Sequence, residues 1–538
     1  MYFSAVARRT ASLFILFSLV NANGRDQQPT RPGDPSVVGD ISNFGNTRYT
    51  AALTIGGKTV NVILDTGSTD LWMNPGGGVG AFESTGVKKK ISYGQGDSFV
   101  NGTIGLAEMT IAGHTIPKQA FLNVTEISAG MDSCGRGICG LVGLGFDNPN
   151  VGFERALSDA GLDGPKIGKS VLTSIFDANP SKGRFFALSL SRIGDTEDSA
   201  DASLSIQEYE ERYANVQWMA RRYVHPPTET NWRVLFDGVT VNGQAIPWTA
   251  NSKETPSKQL VVLVDSGTTN FLVRPEVRER IYSAVPGAVL AKNSSLQNTY
   301  WSADKDVWVI PCDTAVSMSA VFGGQPYPVH PLDMTTVRTQ KGPDGVTYTY
   351  CVGSVTNGGT IATGTTDAVF GDSFMRNVYT SFNFGDNTTS PYIQFLSQTN
   401  EWEGTQDFAH VRKNQLGNSP HEVSPAELVK IFDGVEVAPV TANKDSECTT
   451  AANSNKVQAV AGNLASESSD AGFSTSKYLP IILGLLVANL AVVLGLAVLA
   501  LFTQVRKGTA HRGRYVTTNT NDDAFRVSFA EDKPYSDR

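Results

Sequence analysis

The chain has 538 residues, 40% of them hydrophobic, which is enough to bury more than one core and excludes a small stapled scaffold. Its formal net charge is −8, and Lys and Arg are scattered rather than clustered. That leaves no basic face for a nucleic-acid backbone and excludes this partner class, so a solvated, mildly acidic surface is the plainer account.

In chain order, Arg8 and Arg9 lead into the apolar stretch Ala11 to Val20 and then the small-residue site Val20-Asn21-Ala22, so residues 1–22 are expected to be a cleaved signal peptide. Residues 23–45 follow as a short N-terminal segment. From Asn46 to about Leu396 the sequence consists of short Val-, Ile-, Thr-, Phe- and Tyr-rich segments broken by Gly and Asn, which predicts a mainly β fold. Hairpin turns are expected at Gly56-Gly57 and Asn242-Gly243, each beside alternating apolar positions.

An internal repeat organises this region. Ile63-Leu64-Asp65-Thr66-Gly67-Ser68-Thr69 recurs as Leu263-Val264-Asp265-Ser266-Gly267-Thr268-Thr269. Each copy is followed downstream by two apolar residues and a glycine, Leu141-Val142-Gly143 and Val369-Phe370-Gly371. The order predicts two similar β lobes, 46–218 and 219–399.

From Asn400 the composition turns to Ser, Thr, Asn, Ala and charge, and 400–477 is expected to be a mostly flexible stalk with a short helix near Pro425 to Lys430. No charged residue occurs between Lys477 and Arg506, and at roughly 1.5 Å per residue the apolar run Leu479 to Phe502 clears a hydrocarbon core of about 30 Å. A transmembrane helix is therefore expected at 478–503. Arg506, Lys507, Arg512 and Arg514 follow it, which places the tail 504–538 in the cytoplasm and the bulk of the chain in the lumen or outside. The expectation is a single-pass type I protein of the secretory pathway, at the cell surface or on a vacuolar or endosomal membrane, with the lipid bilayer as a partner.

In that compartment the sequons at Asn101, Asn123, Asn293 and Asn387 are open to glycosylation. The five cysteines suggest a small loop, Cys134 with Cys139, a long one, Cys312 with Cys351, and Cys448 left over.

A single Asp-Thr-Gly is usually only a turn. Two copies on equivalent strands of two similar lobes bring Asp65 and Asp265 together at the lobe junction. Two carboxylates about 3 Å apart cannot both ionise, so they share a proton, and the pair then offers one base and one acid with no metal or cofactor. Gly67 and Gly267 permit close backbone approach, while Ser68 and Thr268 are placed to bond the outer carboxylate oxygens. Thr66 and Ser266 complete the two loops.

Asp65-Thr66-Gly67-Ser68-Thr69-Asp70-Leu71-Trp72 and Val264-Asp265-Ser266-Gly267-Thr268-Thr269 resemble the two active-site signatures of the pepsin family of eukaryotic aspartic proteases. Gly140 to Phe146 and Val369 to Phe374 resemble the family's two loop closures. The resemblance covers roughly Asn46 to Leu396 and implies a bilobal pepsin-like fold, of membrane-anchored fungal type, acting on polypeptide substrates as a monomeric catalytic unit. It also implies a substrate-covering flap, Ile91 to Gly96, with Tyr93 and Gly94 at its tip and Trp72 holding the tyrosine hydroxyl. Ile63 and Leu141 fall where the family binds the residue before the cut, which implies an apolar preference.

Three features depart from the family. The stretch between Trp72 and Tyr93 is short, carries Gly76-Gly77-Gly78 and lacks the common disulfide; residues 23–45 are too few for the customary basic prosegment; and Lys88-Lys89-Lys90 precede the flap, where strand lysines ordinarily block edge pairing. Rival chemistries fit less well. Gly371-Asp372-Ser373 is not a Gly-x-Ser-x-Gly nucleophile motif, and the six dispersed histidines form no His-Glu-x-x-His. The remaining alternative is a surface protein that binds peptides in the same cleft without cutting them.

Overall fold

The structure is a computed structural model that describes residues 38–441 apart from 75, 77–78, 95–97, 195–201, 229–230, 252–254, 257–258, 300–303, 360–364, 418 and 420–421. The expected signal peptide (1–22), membrane span (478–503), tail (504–538) and Cys448 lie outside the described residues. Among the described residues, no helix is long and apolar enough to cross a membrane.

Strands dominate. One thirteen-stranded sheet runs from Arg222–Tyr223 at one edge to Glu83–Tyr93 at the other, and three smaller sheets of five, four and four strands are built only from residues 233–370. The large sheet joins the halves of the chain where Phe185–Ser189 pairs antiparallel with Val378–Asn383. Its far edge strand, Glu83–Tyr93, keeps Lys88 and Lys90 exposed, with the Lys90 ammonium 4.1 Å above the Phe99 ring. Both expected hairpins form: Gly56 and Gly57 have φ 57° and 85°, and Asn242 and Gly243 have φ 50° and 76°. Such left-handed pairs suit the right-handed twist of the flanking strands.

The sequence repeat is a repeat of topology. Lys58–Asp65 runs parallel to Ile138–Gly143, which pairs antiparallel with Leu71–Met73. In the second half, Leu260–Val264 runs parallel to Ala368–Phe370, which pairs antiparallel with Phe271–Val273. Each strand pair ends at the Asp-containing loop, so the two loops are presented by the same scaffold twice.

An aromatic cluster binds the halves beneath them. Trp232, fully buried, donates its indole N–H to Leu144 C=O at 3.0 Å and packs against Phe146, Phe382 and Phe384 with ring centroids 4.3, 5.1 and 5.0 Å away. Rings in such tilted or edge-on contact add to the large apolar area they remove from water.

Two expectations are corrected. Val38–Phe44, assigned to a segment outside the first lobe, is a strand paired with both Ser203–Ile206 and Arg48–Ile55. The stalk expected from Asn400 is ordered structure as far as the described residues go. Asn400 caps the helix Glu401–Leu416 through Trp402 and Glu403 N–H, and Ser424 caps the helix Pro425–Asp433, which Gly434 ends at φ 70°. Leu428, Val429 and Phe432 bury against Val289, Val307, Tyr350 and Val352. The chain then adds a strand-like edge, with Val440 N–H on Ala288 C=O at 2.9 Å and Gly287 N–H on Val440 C=O at 2.8 Å. The polar composition hid a narrow apolar face at helical spacing. Both expected disulfides, Cys134–Cys139 and Cys312–Cys351, are present.

Candidate active site

Asp65 ends the strand Lys58–Asp65, and Asp265 follows the strand Leu260–Val264. Their surroundings are mirrored. Asp65 Oδ1 accepts the Gly67 N–H at 2.9 Å and its Oδ2 accepts the Ser68 hydroxyl; Asp265 Oδ1 accepts the Gly267 N–H at 2.8 Å and its Oδ2 the Thr268 hydroxyl at 2.6 Å. Each inner oxygen is thus fixed by backbone and each outer one by a hydroxyl.

The loops are latched across the halves by four further bonds. The Thr66 hydroxyl donates to Val264 C=O at 2.9 Å and accepts from Ser266 N–H at 2.9 Å. The Ser266 hydroxyl donates to Leu64 C=O at 2.8 Å and accepts from Thr66 N–H at 3.1 Å. Thr66 and Ser266 are 1% and 2% exposed, so these bonds are made out of reach of water, where an unmade one would be costly.

Across this latch the carboxyl groups of Asp65 and Asp265 come within hydrogen-bonding reach of each other. The glycines make the approach possible: a Cβ on Gly67 would lie 2.5 Å from Asp265 Oδ1, and one on Gly267 would overlap Asp65 Oδ1 outright. Burial, and then the neighbouring charge of Asp265, push the Asp65 carboxyl well above the ordinary range, against the pull of the Ser68 hydroxyl and Gly67 N–H. Asp65 is 5% exposed, whereas Asp265 is half-buried, so the pair opens to solvent on one side.

Tyr93 ends its edge strand opposite Ser98, and its hydroxyl takes the Trp72 indole N–H at 2.7 Å. Burial, then the charge of Asp65, raise the Tyr93 phenol, against the pull of the Trp72 N–H. Gly94, at φ 58°, begins the turn. Ile63 and Leu141 are direct partners in the parallel strand pair and share one apolar cluster with Trp72, against which Tyr93 packs. Tyr93, Trp72, Ile63 and Leu141 thus form one group on the first half, with Ile63 on the strand that ends at Asp65.

The sequons lie elsewhere. Asn293 and Asn387 are exposed, the first at φ 47°, while Asn101 and Asn123 are half-buried on strands, with the Asn101 amide on Glu126 at 3.2 Å.

Sequence reasoning passed over Asp372. It is 1% exposed, and neither carboxyl oxygen has a hydrogen-bond partner among the described residues. Burial raises it well above the ordinary range, the Arg376 charge opposes this, and the Asp265 charge adds to it. The available signal was an acidic residue directly after the closing glycine, Gly371, on a short buried helix, Asp372–Met375.

A profile described as Eukaryotic aspartyl protease matches residues 79–391, more than half of the chain. The matched stretch contains Asp265 and starts after Asp65, so the first carboxyl is known here by its geometry. Among curated relatives, Major aspartyl peptidase 1 of Cryptococcus neoformans is 25% identical over 344 residues, 60% of this chain and 63% of that protein, so the chain matches less than two thirds of that relative's length. Secreted aspartic protease 5 of Candida albicans is 24% identical over 419 residues, 72% of this chain and 85% of that protein. Vacuolar protease A of Neurospora crassa is 33% identical over 125 residues, 20% of this chain and 31% of that protein. With the repeated scaffold, the latched loops and the facing carboxyls already in place, the profile match settles the family: the chain belongs to the eukaryotic aspartyl proteases.

Proposed function

We propose that the chain is an endopeptidase that hydrolyses peptide bonds with a water activated between Asp65 and Asp265. One observation carries the reading: two carboxyl groups on repeated loops, bonded in mirror image, close enough to share a proton. The ionised member takes a proton from water as the water oxygen bonds to the peptide carbonyl carbon, and the protonated member gives its proton to the carbonyl oxygen. In the second step the newly formed acid protonates the amide nitrogen as the C–N bond breaks, and a hydroxyl proton of the diol returns to its partner. The pair ends as it began, with one proton, so no cofactor is consumed.

Thr66, Gly67, Ser68, Ser266, Gly267 and Thr268 keep the carboxyl oxygens in place. Tyr93, with Gly94 in the following turn and Trp72 as its support, covers the bound peptide. Ile63 and Leu141 give an apolar pocket beside the pair, and the substrates are polypeptides with an apolar residue before the cut.

The catalytic part is a monomer held outside the cytoplasm by the uncharged stretch Leu479 to Phe502, with the basic residues from Arg506 on the inner side. Carbonate extraction tests this: intact full-length protein released to the supernatant contradicts the anchor. The chemistry is tested by incubating the purified ectodomain with a peptide library at acidic pH and reading cleavage sites by mass spectrometry. Asp65→Asn or Asp265→Asn is expected to lower the rate by at least about a hundredfold. Peptides bound with no cleavage by the unmodified protein would replace this reading with that of a silent peptide-binding surface protein.

A further inference from the structure

Behind the second catalytic loop lies a group of charges that the acid–base pair does not use. Asp333, on the short helix Pro331–Met334, is 2% exposed in its side chain and faces two equally buried guanidiniums. Its Oδ2 takes Arg192 Nη2 at 2.5 Å and Nε at 3.2 Å, together with the Asn377 amide at 3.0 Å. Its Oδ1 takes Arg376 Nε and Nη2, both at 2.7 Å. Burial pushes this carboxyl up, yet the Arg192 and Arg376 charges hold it below the ordinary carboxylate range.

A buried ion group of this kind adds little net stability, because desolvation offsets the attraction; its attested use is to fix one arrangement among several. What it fixes can be followed outward. With Nε and Nη2 held by Asp333, Arg376 directs Nη1 to Asn46 C=O at 2.9 Å and to the Tyr49 hydroxyl at 3.3 Å. The next residue, Thr47, takes the Thr269 hydroxyl on its C=O at 2.8 Å. Thr269 C=O in turn takes the Ser373 hydroxyl at 3.0 Å, and Ser373 C=O takes the Asn377 amide at 2.8 Å. The loop that carries Asp265 is therefore hung at Thr269 from two segments, and the Asp333 group holds both.

We propose that Asp333 is a positioning residue of the catalytic centre: by orienting Arg376 and Asn377 it sets the Asp265–Thr269 loop against its counterpart, without touching substrate. This rests on the reading of Asp65 and Asp265 as the working pair. Asp333→Asn keeps the shape and removes the charge. Titration with a hydroxyl-bearing peptide analogue of the tetrahedral intermediate counts competent sites, and kcat per titrated site is expected to fall roughly ten- to a hundredfold with KM within about threefold.

Asp333→Asn combined with Arg192→Gln returns the buried charge to its starting value. It is expected to recover the melting temperature lost in the single variant but not kcat, because Arg376 then has only neutral acceptors, among them Asn46 C=O and the Tyr49 hydroxyl, and no charge fixes its Nε and Nη2. A kcat per site within about threefold of the unmodified enzyme, in either variant, overturns the proposal, since a merely structural group changes only the number of folded sites. Amide exchange supplies a reading that needs no turnover. Exchange at residues 266–269 of the double variant is expected to be at least about tenfold faster than in the unmodified protein, under conditions where global unfolding is slower still. Unchanged exchange there overturns the proposal as well. An unmodified protein that cuts nothing would remove the peptidase reading while leaving the exchange result to decide the role of Asp333.

Discussion

Gly267→Ala is the sharpest test of the carboxyl geometry. The added Cβ would overlap Asp65 Oδ1, and contacts under 3.0 Å are not sustained by real side chains. Asp65 cannot step aside freely, because both of its oxygens are tied and it is 5% exposed. The loops must then part by close to an ångström, and a misplacement of about 1 Å costs roughly a hundredfold in rate, or about 2.7 kcal/mol. Parting the loops also stretches the buried bonds of Thr66 and Ser266, so the melting temperature is expected to fall together with the rate. Gly67→Ala presses instead on Asp265, which is half-buried and has solvent to move into, and the expected loss is smaller, about tenfold. The assay is kcat/KM on an internally quenched peptide at acidic pH, with calorimetry on the same samples. Gly267→Ala enzyme that keeps more than about a third of the normal kcat/KM would refute the inferred approach of the two side chains.

Thr66→Val leaves Val264 C=O and Ser266 N–H buried and unpaired, and a loss of about 2–4 kcal/mol is expected in urea unfolding; less than about 1 kcal/mol would show the latch to be dispensable. Tyr93→Phe keeps the ring and deletes the hydroxyl that takes the buried Trp72 N–H, so kcat/KM is expected to drop about tenfold with a stability loss of about 1–2 kcal/mol, checked by kinetics and calorimetry together. Leu428→Ala opens the contact between the last described helix and its sheet, for an expected loss of about 2–4 kcal/mol by denaturant titration. Stability is also expected to fall from weakly acidic to neutral pH. Asp65, Asp70 (raised to about 6) and Asp372 hold their protons more tightly when folded, so their contribution is complete below the ordinary carboxyl range and is lost as pH rises through the folded values. His330, lowered to about 4 by burial, acts the other way, its contribution being lost as pH falls through that value. Burial also raises Glu154 and Glu422 and lowers His114, so five acids oppose two imidazoles, and a melting temperature that climbs between about pH 5 and about pH 7.5 would contradict the sum.

The sequence disclosed what depends on short-range pattern. The repeat around Asp65 and Asp265 foretold the doubled scaffold, because a strand that ends in a tight Asp-x-Gly turn is written in contiguous residues. The hairpins at Gly56-Gly57 and Asn242-Gly243 were legible for the same reason, since left-handed backbone favours Gly and Asn. The disulfides were suggested by the closeness of Cys134 to Cys139 and by the place of Cys448 in a polar stretch, which left Cys312 and Cys351 as a pair. What escaped is what only tertiary packing defines. Asp333, Arg192 and Arg376 carry no common signature, being drawn from three distant parts of the chain. Asp372 looks like any acidic residue after a glycine until its burial is known. The helix Glu401–Leu416 was masked by charge on its outward face, although its cap Asn400 was there to be read, whereas the helix near Pro425 to Lys430 was expected and only its burial through Leu428, Val429 and Phe432 was not.

The two hydrogen bonds at Val440 give the molecule a preferred way of bearing load. A pull applied beyond Thr441 meets that short edge and then the helix Pro425–Asp433, both seated on residues 287–352. The strands that carry Asp65 and Asp265 are not first in that line. Under such a pull the last described residues would peel from residues 287–352 before strain reached the loops of Asp65 and Asp265.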